Sequence, residues 1–349
     1  MSSSAPAVRP DHAVRPRRRP TLLPVVATLL AALLGSLVGC AVTSAEDESS
    51  DDARSRSGED AAQVVAYDVR PLLKPDRKYL GAAIEGAPES MELVNDFAAK
   101  TGKQPNLLET YAAWGDQYHK ERIRNAWDAG ALTLISWEPF EPSLAEIADG
   151  ASDDYIQKFA KEVRTLNIPV AITFGHEMNA FWYPWGVPGV QPADFVRAWR
   201  HIYEVFLDVG AANVIWVWSP NVINPVREVR LEPLYPGDEY VDWIGMVGYY
   251  TTTGARTFDT LFGPTMRSVR AFTDKPFIIV ETAAEPGPRR RKDVADLFAG
   301  VAASRDVIGF VWFDIAKRAD WRIGIEPSAL AEFHRRAADD LFGFDVRRV

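Results

Sequence analysis

The 349-residue chain is 47% hydrophobic and 25% charged, which excludes a disordered polymer and leaves enough apolar material for one sizeable core. Its formal net charge is −9; residues 1–39 carry five Arg against one Asp, leaving 34 basic and 47 acidic residues beyond them, a net −13. That sign, with no basic stripe outside the N-terminal segment, excludes nucleic acid as the natural partner.

In chain order, the first segment reads as an address. Arg15, Arg17, Arg18 and Arg19 precede an uncharged, mostly apolar stretch from Thr21 to Val38, the pattern of an export signal over residues 1–39. The stretch ends Leu37-Val38-Gly39-Cys40, which resembles a bacterial lipobox, and Cys40 is the only cysteine. A disulfide within the chain is therefore impossible, and lipidation accounts for a lone thiol there better than redox or metal chemistry. The alternative is an uncleaved membrane anchor, since this apolar stretch is near the lower limit for spanning a bilayer. Both readings place the rest outside the cytoplasm, held at the cell membrane; release as a secreted protein is the variant. From Ala41 to about Gln63 the chain is rich in Ser, Asp and Glu and cannot bury enough surface to fold, so residues 40–66 are expected to be a lipidated Cys and a tether. Residues 67–349 make one domain.

Within that domain, short apolar or β-branched runs alternate with amphipathic segments. The expected strands are Tyr79 to Glu85, Asn106 to Tyr111, Leu132 to Trp137, Val170 to His176, Val214 to Ser219, Trp243 to Tyr249, Phe277 to Glu281 and Ile308 to Phe313. The clearest helices are Asp116 to Ala129, Asp154 to Leu166, Pro192 to Val209 and Lys292 to Ser304. Strands alternating with helices require a parallel sheet with right-handed crossovers. Eight such units, without a GxGxxG after the first strand, predict an α/β fold of the (β/α)8 TIM-barrel class instead of a doubly wound sheet. Barrels of this kind place their chemistry at the C-terminal strand ends. There the sequence reads Glu109 with Tyr111, Trp137-Glu138, His176-Glu177, Trp218 through Asn221, Tyr249-Tyr250, Glu281, and Trp312 with Asp314.

The most specific segment is Ile172-Thr-Phe-Gly-His-Glu-Met-Asn-Ala-Phe-Trp-Tyr-Pro-Trp-Gly186. It resembles the fourth-strand motif of glycoside hydrolase family 26, whose members include β-mannanases, mixed-linkage glucanases and β-1,3-xylanases on a (β/α)8 barrel. The resemblance continues through Trp216-Val-Trp-Ser-Pro-Asn221, Pro236-Gly-Asp-Glu-Tyr-Val-Asp-Trp-Ile-Gly245 and Pro276-Phe-Ile-Ile-Val-Glu-Thr282, and covers most of residues 80 to 325. It implies Glu177 as acid/base, Glu281 as nucleophile, Tyr249 as the tyrosine positioning that nucleophile, and His176 as a contact to sugar hydroxyls. Trp312 resembles the platform under the cleaved sugar. Trp182 and Trp185 follow the acid in an aromatic loop, and Trp137 and Asn179 are further subsite candidates. Thr173, Ala180 and Val247 depart from the family pattern, at positions that bear on the particular sugar and not on the two carboxylates.

Glycoside cleavage independently asks for two carboxyl groups, one to protonate the leaving oxygen and one to attack or stabilise the anomeric centre. The resulting expectation is a monomeric, cofactor-free retaining endo-β-glycanase acting on β-1,4-mannan, with mixed-linkage β-glucan second, and with no membrane contact beyond the lipid anchor. Trimming of the cell's own exopolysaccharide would use the same core. A noncatalytic, surface-tethered glycan-binding protein is the rival from another class, although it would need neither an acid nor a nucleophile. Glu85, Glu109 and Glu138 could add hydroxyl contacts or be structural. A zinc protease reading of His176-Glu177 fails because an HExxH helix needs a second histidine, and that position is Ala180.

Overall fold

The computed structural model describes residues 65–187, 189–223 and 229–349. The export signal, Cys40 and all but the last two residues of the expected tether lie outside the described residues. Eight strands, β1 (Tyr79–Ile84), β2 (Leu107–Ala113), β3 (Leu132–Glu138), β4 (Val170–Phe174), β5 (Val214–Trp218), β6 (Trp243–Val247), β7 (Phe277–Thr282) and β8 (Val307–Asp314), pair in chain order. All pairs are parallel, and β8 returns to β1 along six residues, from Tyr79 opposite Gly309 to Ile84 opposite Asp314, which closes the barrel. The α/β barrel expected from the alternation of runs is therefore the fold.

Helices pack around the barrel: α1 (Arg70–Leu73), α2 (Met91–Thr101), α3 (Lys120–Asp128), α4 (Leu144–Ala148), α5 (Asp153–Leu166), α6 (Pro192–Val209), α7 (Phe258–Leu261), α8 (Gly263–Val269), α9 (Arg290–Ala303) and α10 (Pro327–Ala337). Local sequence explains their limits. Helix α6 opens on Pro192 and stops at Gly210, which takes a left-handed conformation, the usual asymmetry of helix ends. Helix α4 starts with a reciprocal Ser143/Glu146 capping box. Helix α3 begins at Lys120, four residues later than expected; Asp116, its expected first residue, instead accepts the Ala113 N–H in the turn that follows β2.

The strands are covered on both sides, so their inner and outer residues are alike in hydrophobicity. Side-chain contacts resolve the two faces. Trp137 stacks on Phe159 of α5 with ring centroids 4.4 Å apart, so it points outward; Ser136, its neighbour, points inward and donates to Glu109. On β8, Trp312 packs against Phe333 of α10 while Phe313 meets Tyr249. Strand β7 carries an extra residue just before its functional end: Met246 faces Ile279 and Val247 faces Glu281, leaving Val280 unmatched on β6. Such bulges re-aim the side chain that follows.

Candidate active site

Strand β4 ends at Phe174, two residues earlier than expected, because the chain then turns through Gly175 (φ 57°) and Glu177 (φ 56°). A left-handed conformation is uncommon for a non-glycine residue and persists only where the surroundings hold it. Here the Glu177 N–H donates to Ser219 O at 2.7 Å. Two residues on, Asn179 clasps the loop after β5: its Nδ2 donates to Asn221 O (2.9 Å) and its Oδ1 accepts the Asn221 N–H (2.8 Å). Thus clamped, Asn221 donates Nδ2 to Glu177 Oε1, and Trp182 Nε1 donates to Glu177 Oε2 at 3.0 Å. The aromatic loop is tight. A Cβ on Gly186 would lie 1.8 Å from the Ala180 carbonyl oxygen, so only glycine fits.

Glu281 receives two phenolic donors. Tyr249 OH donates to its Oε1, and Tyr111 OH, at the end of β2, donates to its Oε2 at 2.6 Å. Hydrogen bonds donated to a carboxyl group favour its ionised form. Both glutamates are only 1% exposed, yet Trp182, Tyr111 and Tyr249, which touch them, are partly exposed. The pair therefore lies just beneath the surface at the C-terminal mouth of the barrel.

The two sites differ electrostatically. Burial, and then the charge of Glu281, push the Glu177 carboxyl well above the usual carboxylate range against the opposing bonds from Trp182 and Asn221. Deeper in, burial and the charge of Glu281 also raise Glu109 well above its ordinary value, although Ser136 Oγ donates to it at 2.7 Å. Glu138 is pushed up to about 8, chiefly by burial, with Lys317 pulling the other way. A carboxyl group held toward its neutral form thus lies beside one that accepts two phenolic hydrogen bonds, so the two environments differ.

The structure sorts the expected site residues. Glu177, Glu281, Tyr249 and Trp182 come together. His176 lines the adjoining wall, its ring buried and its Nε2 3.2 Å from Tyr183 OH. Asn179 is fully buried and acts through Asn221, so it is a positioning residue and not a sugar contact. Trp185 is buried too; its Nε1 donates to His176 O and its ring stacks on Tyr183 at 4.2 Å, which supports the loop from below. Trp137 and Trp312, both 0% exposed, belong to the layer between barrel and helices, so neither is a platform. The ring beside Tyr249 is Trp321, whose centroid lies 4.7 Å from that of the tyrosine. Its loop is held in place by Arg290 Nη2 and Trp312 Nε1, both donating to Trp321 O. Thr173, Ala180 and Val247 are all buried, and Thr173 Oγ1 donates to Ser219 Oγ beneath the Glu177 turn.

Sequence reasoning passed over Tyr111 as a ligand of Glu281, although it lies two residues from Glu109 and so on the same face of β2. It also missed Asn221 as a donor to Glu177 and Trp321 altogether. Phe181, 48% exposed and edge-on to Trp182, is a further aromatic at the rim.

Eightfold parallel closure and two buried glutamates at the ends of β4 and β7 define the class: a (β/α)8 barrel with a two-carboxylate site at its C-terminal face. The model of glycosyl hydrolase family 26 matches residues 146–272, which include Glu177, Asn221 and Tyr249 and stop short of Glu281. The chain resembles that family over this segment, a little over a third of its length. It is 29% identical over 262 residues to endoglucanase H of Acetivibrio thermocellus, covering 71% of this chain and 29% of that protein. It is 25% identical over 199 residues to a mannan endo-1,4-β-mannosidase of Bacillus subtilis, covering 55% and 48% respectively. The chain thus spans less than half the length of these curated relatives. Among solved structures, the catalytic domain of a family 26 endo-β-1,4-mannanase from Bacillus sp. JAMB-750 superposes with a TM-score of 0.63 at 14% identity, covering 78% of this chain and 88% of that one.

Proposed function

We propose that the chain is a retaining endo-β-glycanase, with β-1,4-mannan as its substrate, Glu177 as acid/base and Glu281 as nucleophile. The observation that carries the reading is the asymmetry of the two glutamates: Glu177 is held toward the neutral acid by burial, while Glu281 accepts two phenolic hydrogen bonds. In the first step the Glu281 carboxylate attacks the anomeric carbon as the Glu177 proton passes to the departing glycosidic oxygen. Bond formation removes the charge of Glu281, which is one of the two causes raising Glu177. The Glu177 carboxylate left by the first step is then suited to take a proton from water, which attacks the same carbon and releases Glu281.

Trp182 supplies a flat face for the apolar side of a pyranose ring, and Phe181 extends that surface outward, while Trp321, 5% exposed, backs Tyr249. A negatively charged substrate would bring another charge beside Glu281 and hold Glu109, Glu138 and Glu177 still further toward their neutral forms. That favours a neutral polysaccharide over a polyuronate. β-Glucan is the second reading, favoured because a relative aligned over 71% of this chain is named an endoglucanase. The paired carboxylates support an enzyme over a glycan-binding protein without turnover.

At the N-terminus, lipidation of Cys40 after removal of residues 1–39 would tether the domain to the cell membrane on the 40–66 segment. Residues 67–349 would then face the polysaccharide outside the cytoplasm. Reducing-end assays on mannan, mixed-linkage glucan and xylan, wild type beside Glu281→Ala, test the function. The reading expects release of reducing ends from mannan that the variant loses by orders of magnitude; equal rates for both proteins would sink it.

A further inference from the structure

Two buried acceptors lacking donors flank Glu177. On the β3 side, Glu138 is 4% exposed and its Oε1 accepts no hydrogen bond. Strand alternation sets its direction: Trp137 faces outward onto α5, so Glu138, like Ser136, turns toward the barrel axis. There it feels the charges of both Glu177 and Glu281. On the β5 side, Asn221 spends its Nδ2 on Glu177, while its Oδ1, also buried, accepts nothing. Its backbone is fixed by the Asn179 clasp and its side-chain nitrogen by Glu177, which together set where the orphaned oxygen lies.

A buried acceptor without a donor weakens a fold, and native structures keep few of them unless a ligand is to supply the missing group. Two of them, one at the end of β3 and one in the loop after β5, call for a molecule that offers several hydroxyl donors at once.

We infer that Glu138 and Asn221 read ring hydroxyls of the sugar chain on the two sides of Glu177, and that Glu138 is a specificity-determining residue of the site. The inference rests on the reading that this mouth takes a neutral β-glycan. Glu138 discriminates by the unpaired acceptor itself: a sugar lacking the matching hydroxyl leaves that oxygen bare, a penalty larger than that for a misfitting apolar group.

The test combines side-chain and hydroxyl deletion. Wild type, Glu138→Leu and Glu138→Gln are assayed on mannotetraose and glucotetraose and on analogues of each deoxygenated at one position at a time. Glu138→Leu is expected to lower kcat/KM by about tenfold to a hundredfold, with Glu138→Gln, which keeps an acceptor, recovering most of it. One deoxy analogue should be handled poorly by wild type and no worse than its parent by Glu138→Leu. The melting temperature of Glu138→Leu should rise, because the variant loses a buried carboxyl oxygen that accepts no hydrogen bond; a structural carboxyl would give a fall.

A deoxy profile identical in wild type and Glu138→Leu at every position overturns the inference and leaves the glycanase reading intact. Calorimetric binding of both tetraoses to Glu281→Ala separates the two failures. No binding there, together with no turnover by wild type, overturns the glycanase reading and this inference with it. Should Glu138→Leu not fold, Glu138→Met provides the same comparison without an oxygen acceptor.

Discussion

Replacing Trp182 with Phe should move the alkaline limb of the pH–rate profile upward. The indole Nε1 donates to Glu177 Oε2 at 3.0 Å, and that bond favours the carboxylate, opposing the effects of burial and Glu281. A hydrogen bond to a charged acceptor is worth about 1.5–3 kcal/mol, and about 1.4 kcal/mol corresponds to one pKa unit. Its loss should therefore raise the apparent pKa of the coupled pair by about one to two units. The acid would stay protonated to higher pH, so kcat/KM should fall off later on the alkaline side. Phe keeps most of the ring, and any lost sugar contact lowers the height of the profile without displacing its limb. The assay is kcat/KM against pH on mannotetraose for both proteins, with melting temperatures to confirm folding. An alkaline limb that stays in place, or shifts to lower pH, would refute Glu177 as the acid whose charged form Trp182 stabilises.

Two further expectations concern packing and protonation. Trp312→Ala should cost about 3–5 kcal/mol of stability, as for other buried aromatic truncations, while Trp312→Phe should leave KM nearly unchanged, because the ring contacts Phe333 of α10; a selective rise in KM at full stability would return Trp312 to the sugar site. The raised carboxyl of Glu138 predicts how stability depends on pH. Unfolded, a Glu releases its proton near pH 4.3, whereas Glu138 in the folded chain holds it to about 8. The native state thus binds more protons between those values, so stability is full below the lower one and declines as pH rises toward the upper, by up to about 1.4 kcal/mol per pH unit for one group. Urea melts at pH 5 and pH 8 should show a smaller decline for Glu138→Gln than for wild type, and an equal decline would contradict the assignment.

Strand count and order were legible because each strand is a short apolar run set off by a helix. The strand ends were less so. Strand β4 reads as continuing to His176, since nothing in Gly175-His176-Glu177 announces that Glu177 adopts φ 56° and turns the chain. Facing was hardest, because strands covered on both sides lose the alternation of polar and apolar residues. Trp312 and Phe313 are equally plausible inward residues by composition, and only the contacts with Phe333 and Tyr249 tell them apart.

The same ambiguity hid Trp137 in the outer layer. Trp321 was unreadable for another reason: it reaches Tyr249 from a loop that a buried Arg290, a long way back in the chain, holds by its carbonyl. That Glu177 and Glu281 meet at one end of the barrel was legible because family resemblance and the demands of glycoside chemistry pointed to the same pair. Asn179 shows the limit of motif reading. It belongs to the motif, yet its part is to fix Asn221.

The central claim is that Glu281 forms a covalent bond with the sugar. Incubation with a 2-deoxy-2-fluoro-β-mannosyl fluoride, which slows the second step more than the first, followed by intact-mass and peptide mass spectrometry, tests it most directly. The account predicts a mass increase of one fluoroglycosyl group, with loss of fluoride, located on the peptide containing Glu281 and absent from Glu281→Ala. A label on another residue, or one that persists in Glu281→Ala, would contradict it.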